Sequence, residues 1–251
     1  MALLLCAATG RELAWLVPSF SPPGFPTGDE RYSAAEHWPE MVLWPLRLKH
    51  GSGLCCITGV GPINAALALG LAFAKASAAG TPITGVCVAG LAGAFDLQEF
   101  PLYSLCRVEE EIWPEFGLHD GQSVTAGAFG FPLWSPEQGE PVRDHWNLPP
   151  AEALVTLGVR CDDATFLPAR SLTVAGVSAS FARTADMRSR YRADLENMEG
   201  FAVAYACARQ GVPCLEVRCV SNKVGPRTRE EKDFPGALRA LMRTLPALNL
   251  I

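Results

Sequence analysis

The sequence predicts an α/β fold in which helices cover both faces of a layered β-sheet. Short apolar runs rich in Val, Leu, Ile and Cys lack the in-and-out alternation of a half-exposed strand, which is typical of strands buried on both faces. These runs alternate with alanine-rich segments of helical periodicity. The two patterns together indicate that strands and helices alternate along the chain.

The first half of the chain supplies three predicted strands and one long helix. The strands are LLLCAA, LCCITG and ITGVCVAG, and the helix is PINAALALGLAFAKASAA, before the third strand. The opening MALLLCAATG lacks the basic residues of a signal peptide and the small residue that precedes a lipoprotein cysteine, so we interpret it as a buried strand. No apolar run approaches the ~20 residues that a membrane helix needs.

The second half repeats the alternation of strands and helices. The predicted elements are the strand SLTVAGVS, a helix near Thr184 to Ala193, a helix from Phe201 to Gln210, a strand from Cys214 to Val220 and a final helix near Phe234 to Leu245. Two proline-rich stretches, residues 18–32 and 129–150, are predicted to be surface excursions without regular structure. Neither separates two self-sufficient cores, so we predict a single domain over residues 1–251.

Composition narrows the classes of function. With 251 residues, of which 49% are hydrophobic and 19% charged, the chain can bury a large core, and disorder is excluded. A formal net charge of -5 without runs of Lys or Arg argues against nucleic acid or a membrane surface and favours a small-molecule partner. The odd number of cysteines, 9, mostly in apolar runs, predicts free thiols and a cytoplasmic protein. The scattered histidines predict no metal ion.

Two glycine-rich segments follow predicted strands. Gly59 and Gly61 precede a helix, where backbone N–H groups can bind an anion, although a tight turn alone also explains them. A dinucleotide-binding fingerprint would require glycine where Asn64 stands, which weakens an NAD-dependent oxidoreductase. The segment GLAGAF is predicted to be a second loop, whose glycines let the backbone approach a ligand closely.

Three polar residues also follow predicted strands. Glu12 and Glu199 each lie where a helix begins, and the helix dipole alone would explain a carboxylate there. Asn222 closes a strand, where a turn-forming role is equally open. Because ligands of open α/β sheets bind at the carboxyl ends of the strands, these three residues and Gly90 to Gly93 could converge on one crevice.

The order and spacing of these segments resemble the purine nucleosidase and nucleoside phosphorylase superfamily, and within it the futalosine hydrolases. The most specific element is ENMEG followed about twenty residues later by R-x-x-S-N. The matching segments extend from Ala8 to Arg227 and are ATGRE, GVGPINAA, GLAGAF, EEEIWPEFGLHDG, ENMEGFAVAYAC and EVRCVSNKVGPR. The resemblance implies a three-layer α/β/α sandwich with a mixed central sheet, a homodimer or higher homo-oligomer, and no cofactor. It also implies cleavage of the bond between hypoxanthine and ribose in futalosine, during menaquinone synthesis.

The resemblance implies roles around the sugar. Cleavage of an N-glycosidic bond develops positive charge on the ribose, which a carboxylate in a dry pocket stabilises. Glu199 would bind the ribose hydroxyls and stabilise this charge, and Glu12 would act as the general base for water. Met198 would pack on the sugar, beside Asn197, which replaces a Glu of the adenine-specific relatives. The floor of the pocket would be formed by Gly90, Leu91, Ala92 and Gly93.

Around the base, the resemblance singles out Asn222, where the adenine-specific relatives carry Asp. An amide can accept from a purine N7–H and donate to a 6-oxo group, which suits hypoxanthine. Phe181 would stack on this base, with core packing as the alternative. Arg218 is open between an ion pair with Glu216 and a buried capping role.

Four other functions compete with futalosine hydrolysis. Asn222 disfavours an adenine-specific methylthioadenosine/S-adenosylhomocysteine nucleosidase, whereas another purine nucleosidase stays open as an alternative. A phosphorylase would need cationic or hydroxyl donors for phosphate, and the segment from Val88 to Leu91 has none. A non-catalytic nucleoside-binding protein would not need both Glu12 and Glu199.

Overall fold

A computed structural model describes residues 2–251 and shows the predicted α/β fold, with one mixed nine-stranded sheet and helices on both of its faces. A separate two-stranded hairpin is formed by β6 and β7. In chain order the strands are β1 (Ala2–Ala7), β2 (Trp44–Leu48), β3 (Gly51–Ile57), β4 (Ile83–Ala94), β5 (Leu105–Ile112), β6 (Leu118–His119), β7 (Val124–Thr125), β8 (His145–Asn147), β9 (Leu167–Thr173), β10 (Leu195–Asn197) and β11 (Cys214–Lys223).

The α-helices follow the alternation predicted from the sequence. In chain order they are α1 (Gly10–Leu16), α2 (Glu30–Ala34), α3 (Pro62–Ala78), α4 (Phe181–Tyr191), α5 (Gly200–Arg209), α6 (Phe234–Leu241) and α7 (Thr244–Ala247). Short 3-10 helices lie at Ala35–His37, Ala126–Ala128 and Ala151–Leu157. Within residues 2–251, no helix is both long and apolar enough to cross a membrane.

The sheet has the order β10-β9-β5-β11-β4-β1-β3-β2, with β8 paired to β5. Strands β3, β1, β4 and β11 are parallel, and β5 runs antiparallel to β11. One half of the sheet curls onto itself, because β10 pairs with β9 on one side and with β4 on the other. The carboxyl ends of β1, β4 and β11 therefore meet beside the β10–α5 junction.

Two apolar cores cover the two faces of the sheet. Alternate residues of β1 belong to different cores: Leu3 and Leu5 pack with the side that carries α1, α6 and α7, whereas Leu4 and Cys6 pack with the side that carries α3 and α5. Successive side chains of a strand point to opposite faces, so a strand between two helical layers must be apolar at every position. This explains the uninterrupted apolar run at the start of the chain.

Several predicted boundaries are wrong. The segment GLAGAF is not a loop, because Gly90 to Ala94 continue β4 and pair with β11 and β10. The strand predicted at SLTVAGVS begins earlier and ends at Thr173, and the final helix is interrupted between α6 and α7. The stretch 129–150 contains strand β8, because three of its residues pair with the edge of β5.

Candidate active site

A cleft of about 410 Å³ lies at the carboxyl ends of β1, β4 and β11. The α5 helix begins at its wall, so residues distant in sequence face one space. Eight of the ten residues singled out from the sequence line this cleft: Glu12, Leu91, Ala92, Gly93, Asn197, Met198, Glu199 and Asn222.

The other two residues lie elsewhere. Gly90 is directly beneath the cleft, where a Cβ would come 2.8 Å from Glu12 Oε1 and 3.1 Å from Arg218 Nη1, so only glycine leaves room for both side chains. Phe181 is the first residue of α4; its side chain is 77% exposed and does not line the cleft. Core packing, the alternative considered for Phe181, is therefore wrong.

Glu12 is held at the wall of the cleft by hydrogen bonds from Thr9, which follows β1, and from Leu91 of β4. Glu12 N donates to Thr9 Oγ1 at 3.2 Å, and Thr9 N donates to Glu12 Oε2 at 2.9 Å, which completes a capping box at the start of α1. The other carboxylate oxygen, Oε1, accepts from the backbone N–H of Leu91 at 2.9 Å. The carboxylate is thus fixed between β1 and β4.

The surroundings of Glu12 change its acidity. Burial, and next the negative charge of Glu199, raise the pKa of Glu12 above the ordinary value for glutamate. Hydrogen bonds from Leu91 and Thr9 and the charge of Arg218 oppose this effect without cancelling it. A carboxylate with a raised pKa is a stronger base, and is better able to take a proton from water.

Glu199 is the residue immediately before α5, and both of its carboxylate oxygens accept hydrogen bonds. Oε1 accepts from the backbone N–H of Gly61 at 3.0 Å, and Oε2 accepts from Arg218 Nη1 at 3.2 Å. Gly61 has φ +94°, a left-handed conformation that glycine adopts without strain. The glycine segment is therefore a turn with positive φ angles, and the N–H of Gly61 also binds an anion. This anion is the carboxylate of Glu199.

Behind Glu199, a buried polar network supports the cleft. Arg218 is 1% exposed and donates through Nε to Glu216 Oε1 at 2.7 Å. Its Nη2 donates to Asn197 Oδ1 at 3.0 Å, and Asn197 Oδ1 also accepts from the backbone N–H groups of Glu199 and Gly200 at 2.8 and 2.7 Å. Of the two roles left open for Arg218, the ion pair with Glu216 is therefore the one that the structure shows.

The guanidinium of Arg218 keeps its positive charge in this interior. Burial is the largest influence on its pKa and lowers it, but the carboxylates of Glu216 and Glu199 raise it further, so that the net change is upward. A buried cation that bridges two carboxylates ties β11 to the start of α5.

Asn222 reaches the cleft because β11 contains a bulge. The register of β11 against β4 shifts between Val220 and Asn222, which turns Asn222 toward the cleft. Ser221 Oγ donates to Asn222 Oδ1 at 2.9 Å, and Asn222 Nδ2 donates to the carbonyl of Lys223 at 2.7 Å. The amide oxygen retains one lone pair, and the nitrogen one hydrogen, for a ligand.

The first residue of the ENMEG stretch holds a loop beside the cleft. Glu196 accepts from Ser178 N at 2.9 Å and from Ser178 Oγ at 2.6 Å, which anchors the segment between β9 and α4. Val177 of this segment lines the cleft. Glu196 also lines the cleft.

Sequence reasoning missed the apolar end of the cleft. Val60, Phe234 and Leu238 line it together with Arg11, whose guanidinium pairs with Glu36. An apolar residue at the start of α6 is indistinguishable in sequence from a core residue. Its 42% exposure is the signal that distinguishes Phe234, and only the structure supplies it.

Comparisons with known proteins agree with this geometry. The family model of the phosphorylase superfamily matches residues 8–245. The chain is 35% identical to the futalosine hydrolase of Streptomyces coelicolor over 245 residues, covering 96% of this chain and 92% of that protein. It is also 35% identical to the futalosine hydrolase of Thermus thermophilus over 191 residues, covering 76% and 78% of the two chains.

The fold has counterparts among solved structures. The 5'-methylthioadenosine/S-adenosylhomocysteine nucleosidase of Helicobacter pylori, crystallised with butyl-thio-DADMe-Immucillin-A, superposes with a TM-score of 0.69 at 15% identity. The match covers 99% of this chain and 97% of that chain. It confirms the predicted nucleoside phosphorylase-like sandwich.

Proposed function

Because this chain belongs to the phosphorylase superfamily and, within it, to the futalosine hydrolases, and is an N-glycosyl hydrolase, we propose that it hydrolyses futalosine. The products would be hypoxanthine and dehypoxanthine futalosine, the latter for menaquinone synthesis. The observation that carries the proposal is that Glu12, Glu199 and Asn222 line one cleft. The whole chain would act as one catalytic domain without a cofactor.

Glu199 would face the ribose. Cleavage leaves positive charge on the sugar ring, and a buried carboxylate beside it stabilises the transition state more than the neutral substrate. The hydrogen bonds from Gly61 and Arg218 hold this carboxylate in place, so little reorganisation is required as charge develops. Met198 lines the cleft beside Glu199 and would pack on the sugar.

Glu12 would activate the attacking water. Its carboxylate lines the same cleft, its pKa is raised, and it is held in position by Thr9 and Leu91. A positioned carboxylate within hydrogen-bond reach of water is what general base catalysis requires. Attack at the anomeric carbon would complete the hydrolysis.

Asn222 would select a 6-oxopurine. Once the departing base has taken up a proton from solvent at N7, the free lone pair of Asn222 would accept from N7–H, and its free N–H would donate to the 6-oxo group. Adenine presents a donor in place of that oxygen, so two donors would face each other, at a cost of ~1 to 3 kcal/mol. This supports futalosine over an adenine nucleoside as substrate.

The proposal is tested by incubating the protein with futalosine, inosine or methylthioadenosine in phosphate-free buffer and separating the bases by chromatography. We expect hypoxanthine from futalosine without phosphate. Faster release of adenine from methylthioadenosine would replace the proposal with the adenine-specific activity. A requirement for phosphate would indicate a phosphorylase, and binding without release of base from any of the three would indicate a nucleoside-binding protein.

The role of Asn222 has its own test. Asn222→Asp should lower kcat/KM for 6-oxopurine nucleosides by ~10- to 100-fold more than for adenine nucleosides. Asn147→Asp, a polar position on β8 outside the cleft, serves as the matched control. Equal losses on both classes of nucleoside would remove the selective role from Asn222.

We further propose a homodimer or higher homo-oligomer that uses the outer face of α3. This face exposes Ile63 and Leu67 by 83% and 52%, with Leu71 one turn further on. It borders an apolar cavity of about 250 Å³ between α3 and α5, lined also by Trp113 and Tyr205. Large exposed apolar patches mark association surfaces. Light scattering should show a smaller particle for Leu67→Glu, and an unchanged mass would contradict the proposed face.

The eight fully buried free thiols support a reducing compartment. We therefore propose that the enzyme works in the cytoplasm.

A further inference from the structure

Four ionisable side chains form a line that leads from the cleft into the interior. Glu199 is at the cleft, Arg218 is bonded to it, Glu216 is bonded to Arg218, and Glu111 of β5 lies beyond. Glu111 and Glu216 are both 0% exposed. A Cβ on Gly200 would overlap both of these carboxyl groups, so they converge on one point beneath the start of α5.

The hydrogen bonds indicate where a proton resides in this line. Glu111 has no cation beside it in the described hydrogen bonds, and it accepts from Thr173 Oγ1 and Asn197 Nδ2, each at 2.6 Å. Glu216 accepts from Arg218 Nε through Oε1, but its Oε2 receives no hydrogen bond from another nitrogen or hydroxyl of residues 2–251. A protonated Glu111 would supply the donor that this buried oxygen lacks.

Acidity supports the same assignment. Burial, and next the charge of Glu216, raise the pKa of Glu111 well above the ordinary value. The pKa of Glu216 is raised as well, by burial, although Arg218 opposes this effect through both its charge and its hydrogen bond. Because Arg218 is hydrogen-bonded to Glu216, and Glu216 Oε2 has no other donor among residues 2–251, we assign the proton to Glu111 and the negative charge to Glu216.

The charge of Glu216 determines the net charge that faces the sugar of the substrate. Arg218 carries one positive charge between two carboxylates, so the group formed by Glu199, Arg218 and Glu216 has a net charge of about -1 when Glu216 is ionised. If Glu216 were neutral, Arg218 would cancel the charge of Glu199. In a dry interior this difference acts strongly on a positive charge that develops nearby.

We propose that Glu216 is a positioning residue of the hydrolytic reaction: it holds and neutralises Arg218, and thereby leaves Glu199 with net negative charge toward the ribose. The inference rests on the proposed function, and in particular on the proposed role of Glu199. Glu216 acts through Arg218 and Glu199 and does not line the cleft.

The decisive variant is Glu216→Gln, which keeps the shape of the side chain and removes its charge. We expect kcat to fall by ~10- to 100-fold while KM changes little, because the sugar is charged only in the transition state. Glu111→Gln is the matched control, since it replaces a carboxyl that is already neutral. Asn197 Nδ2 loses one acceptor in this control but keeps Ser171 Oγ at 2.7 Å, so we expect kcat to fall by no more than ~3-fold.

A second readout separates charge from damage to the structure. The probe is a nucleoside mimic in which a protonated pyrrolidine replaces the ribose, and hypoxanthine is the neutral comparison. Glu216→Gln should weaken binding of the cationic mimic by about the same factor as kcat/KM and leave the Kd of hypoxanthine unchanged. Equal weakening of both would show a merely structural role and overturn the inference.

The outcomes distinguish this inference from the proposed function. If the wild-type protein releases no base from any nucleoside, the proposed function fails. If the wild type is active and Glu216→Gln retains its kcat, or if Glu111→Gln loses as much, the inference alone fails. If Glu216→Gln does not fold, infrared spectra of the wild type and of Glu111→Gln test the inference instead. The wild type should show the band of a buried protonated carboxyl, and this band should be absent from Glu111→Gln. Persistence of the band in Glu111→Gln would overturn the inference.

Discussion

Strand β11 begins in an apolar core and ends at a charged cleft, and its two ends use burial for different purposes. Cys214, at its start, packs with Cys6, Cys56 and Cys207 in what we call the thiol core. A few residues later the same strand buries Glu216, Arg218 and Asn222. The strand is buried from Cys214 to Asn222, but from Glu216 onward it carries groups that water would otherwise solvate.

The two ends differ in the energy of burial. A thiol transfers to the interior as a small apolar group, and burial raises the pKa of Cys6 well above the ordinary value and so keeps it neutral. A carboxylate or guanidinium loses several kcal/mol of solvation and needs partners to compensate. The network around Arg218 supplies such partners through its ion pairs with Glu199 and Glu216.

The largest effect is expected on catalysis, when a carboxylate at the charged end is neutralised. Glu12→Gln and Glu199→Gln should each lower kcat by ~100-fold or more, because they remove the proposed base and the charge proposed to stabilise the sugar cation. Steady-state assays would measure the loss, and circular dichroism would check the fold. Glu30→Gln, at an exposed position of α2, is the control and should have no effect. Wild-type turnover by either active-site variant would contradict its assigned role.

The next effect concerns the packing of the charged end. Gly200→Ala should lower the free energy of unfolding by ~1 to 3 kcal/mol, because its Cβ would overlap the carboxyls of Glu111 and Glu216. Gly127→Ala is the matched control, since a Cβ there meets nothing within 4 Å. Urea titrations of both variants provide the comparison. Equal stability would mean that the carboxyls can move aside, and the network would be less rigid than the structure indicates.

A smaller effect is the response of the charged end to pH. As the proposed base, Glu12 must be ionised, and its pKa is raised by burial and by Glu199. Lowering the pH through this raised pKa protonates the base, so kcat/KM should fall about tenfold per pH unit below it, starting above the range of an ordinary glutamate. A pH profile of kcat/KM measures this limb. A limb at the ordinary glutamate value would show that Glu12 is not the group that limits the reaction.

The smallest effect is expected at the apolar end. Because burial raises the pKa of Cys6 and Cys56, a disulfide reagent should modify these two thiols of the thiol core only after unfolding. Cys161 is half-buried and should be the first to react in the native protein, and Cys161→Ala should abolish that fast phase. Rapid modification of several native thiols would show that the thiol core opens readily.

The apolar end could be predicted from the sequence, and the charged end only in part. Local sequence patterns predict strands β1 and β3 and helix α3. The two strands are recognisable because burial on both faces requires continuous apolar residues. Glu12 and Asn222 could be singled out because each follows a predicted strand, and Glu199 because it lies in the specific motif ENMEG. Their location at strand ends is a local property as well.

The supporting network depends on contacts that no local pattern contains. Glu216 and Arg218 are two residues apart on one strand, and the two-residue period of a strand does suggest that they share a face. Glu111 reaches them only through the pairing of β5 with β11, in the register Glu216 to Val108. The exposed ring of Phe181 depends on the path of the preceding segment, and the continuation of β4 through GLAGAF depends on two strands from much later in the chain.

The closure of β10 onto β4 has a consequence for how the protein is made. Gly93 and Ala94 emerge from the ribosome about a hundred residues before Leu195 and Glu196, with which they pair. Until β10 and then β11 have been synthesised, the distal half of β4 is an unsatisfied strand edge, open to pairing with another chain. The catalytic end should therefore be the last part to mature during synthesis, and premature termination before residue 195 should yield an aggregating product rather than a partly active one.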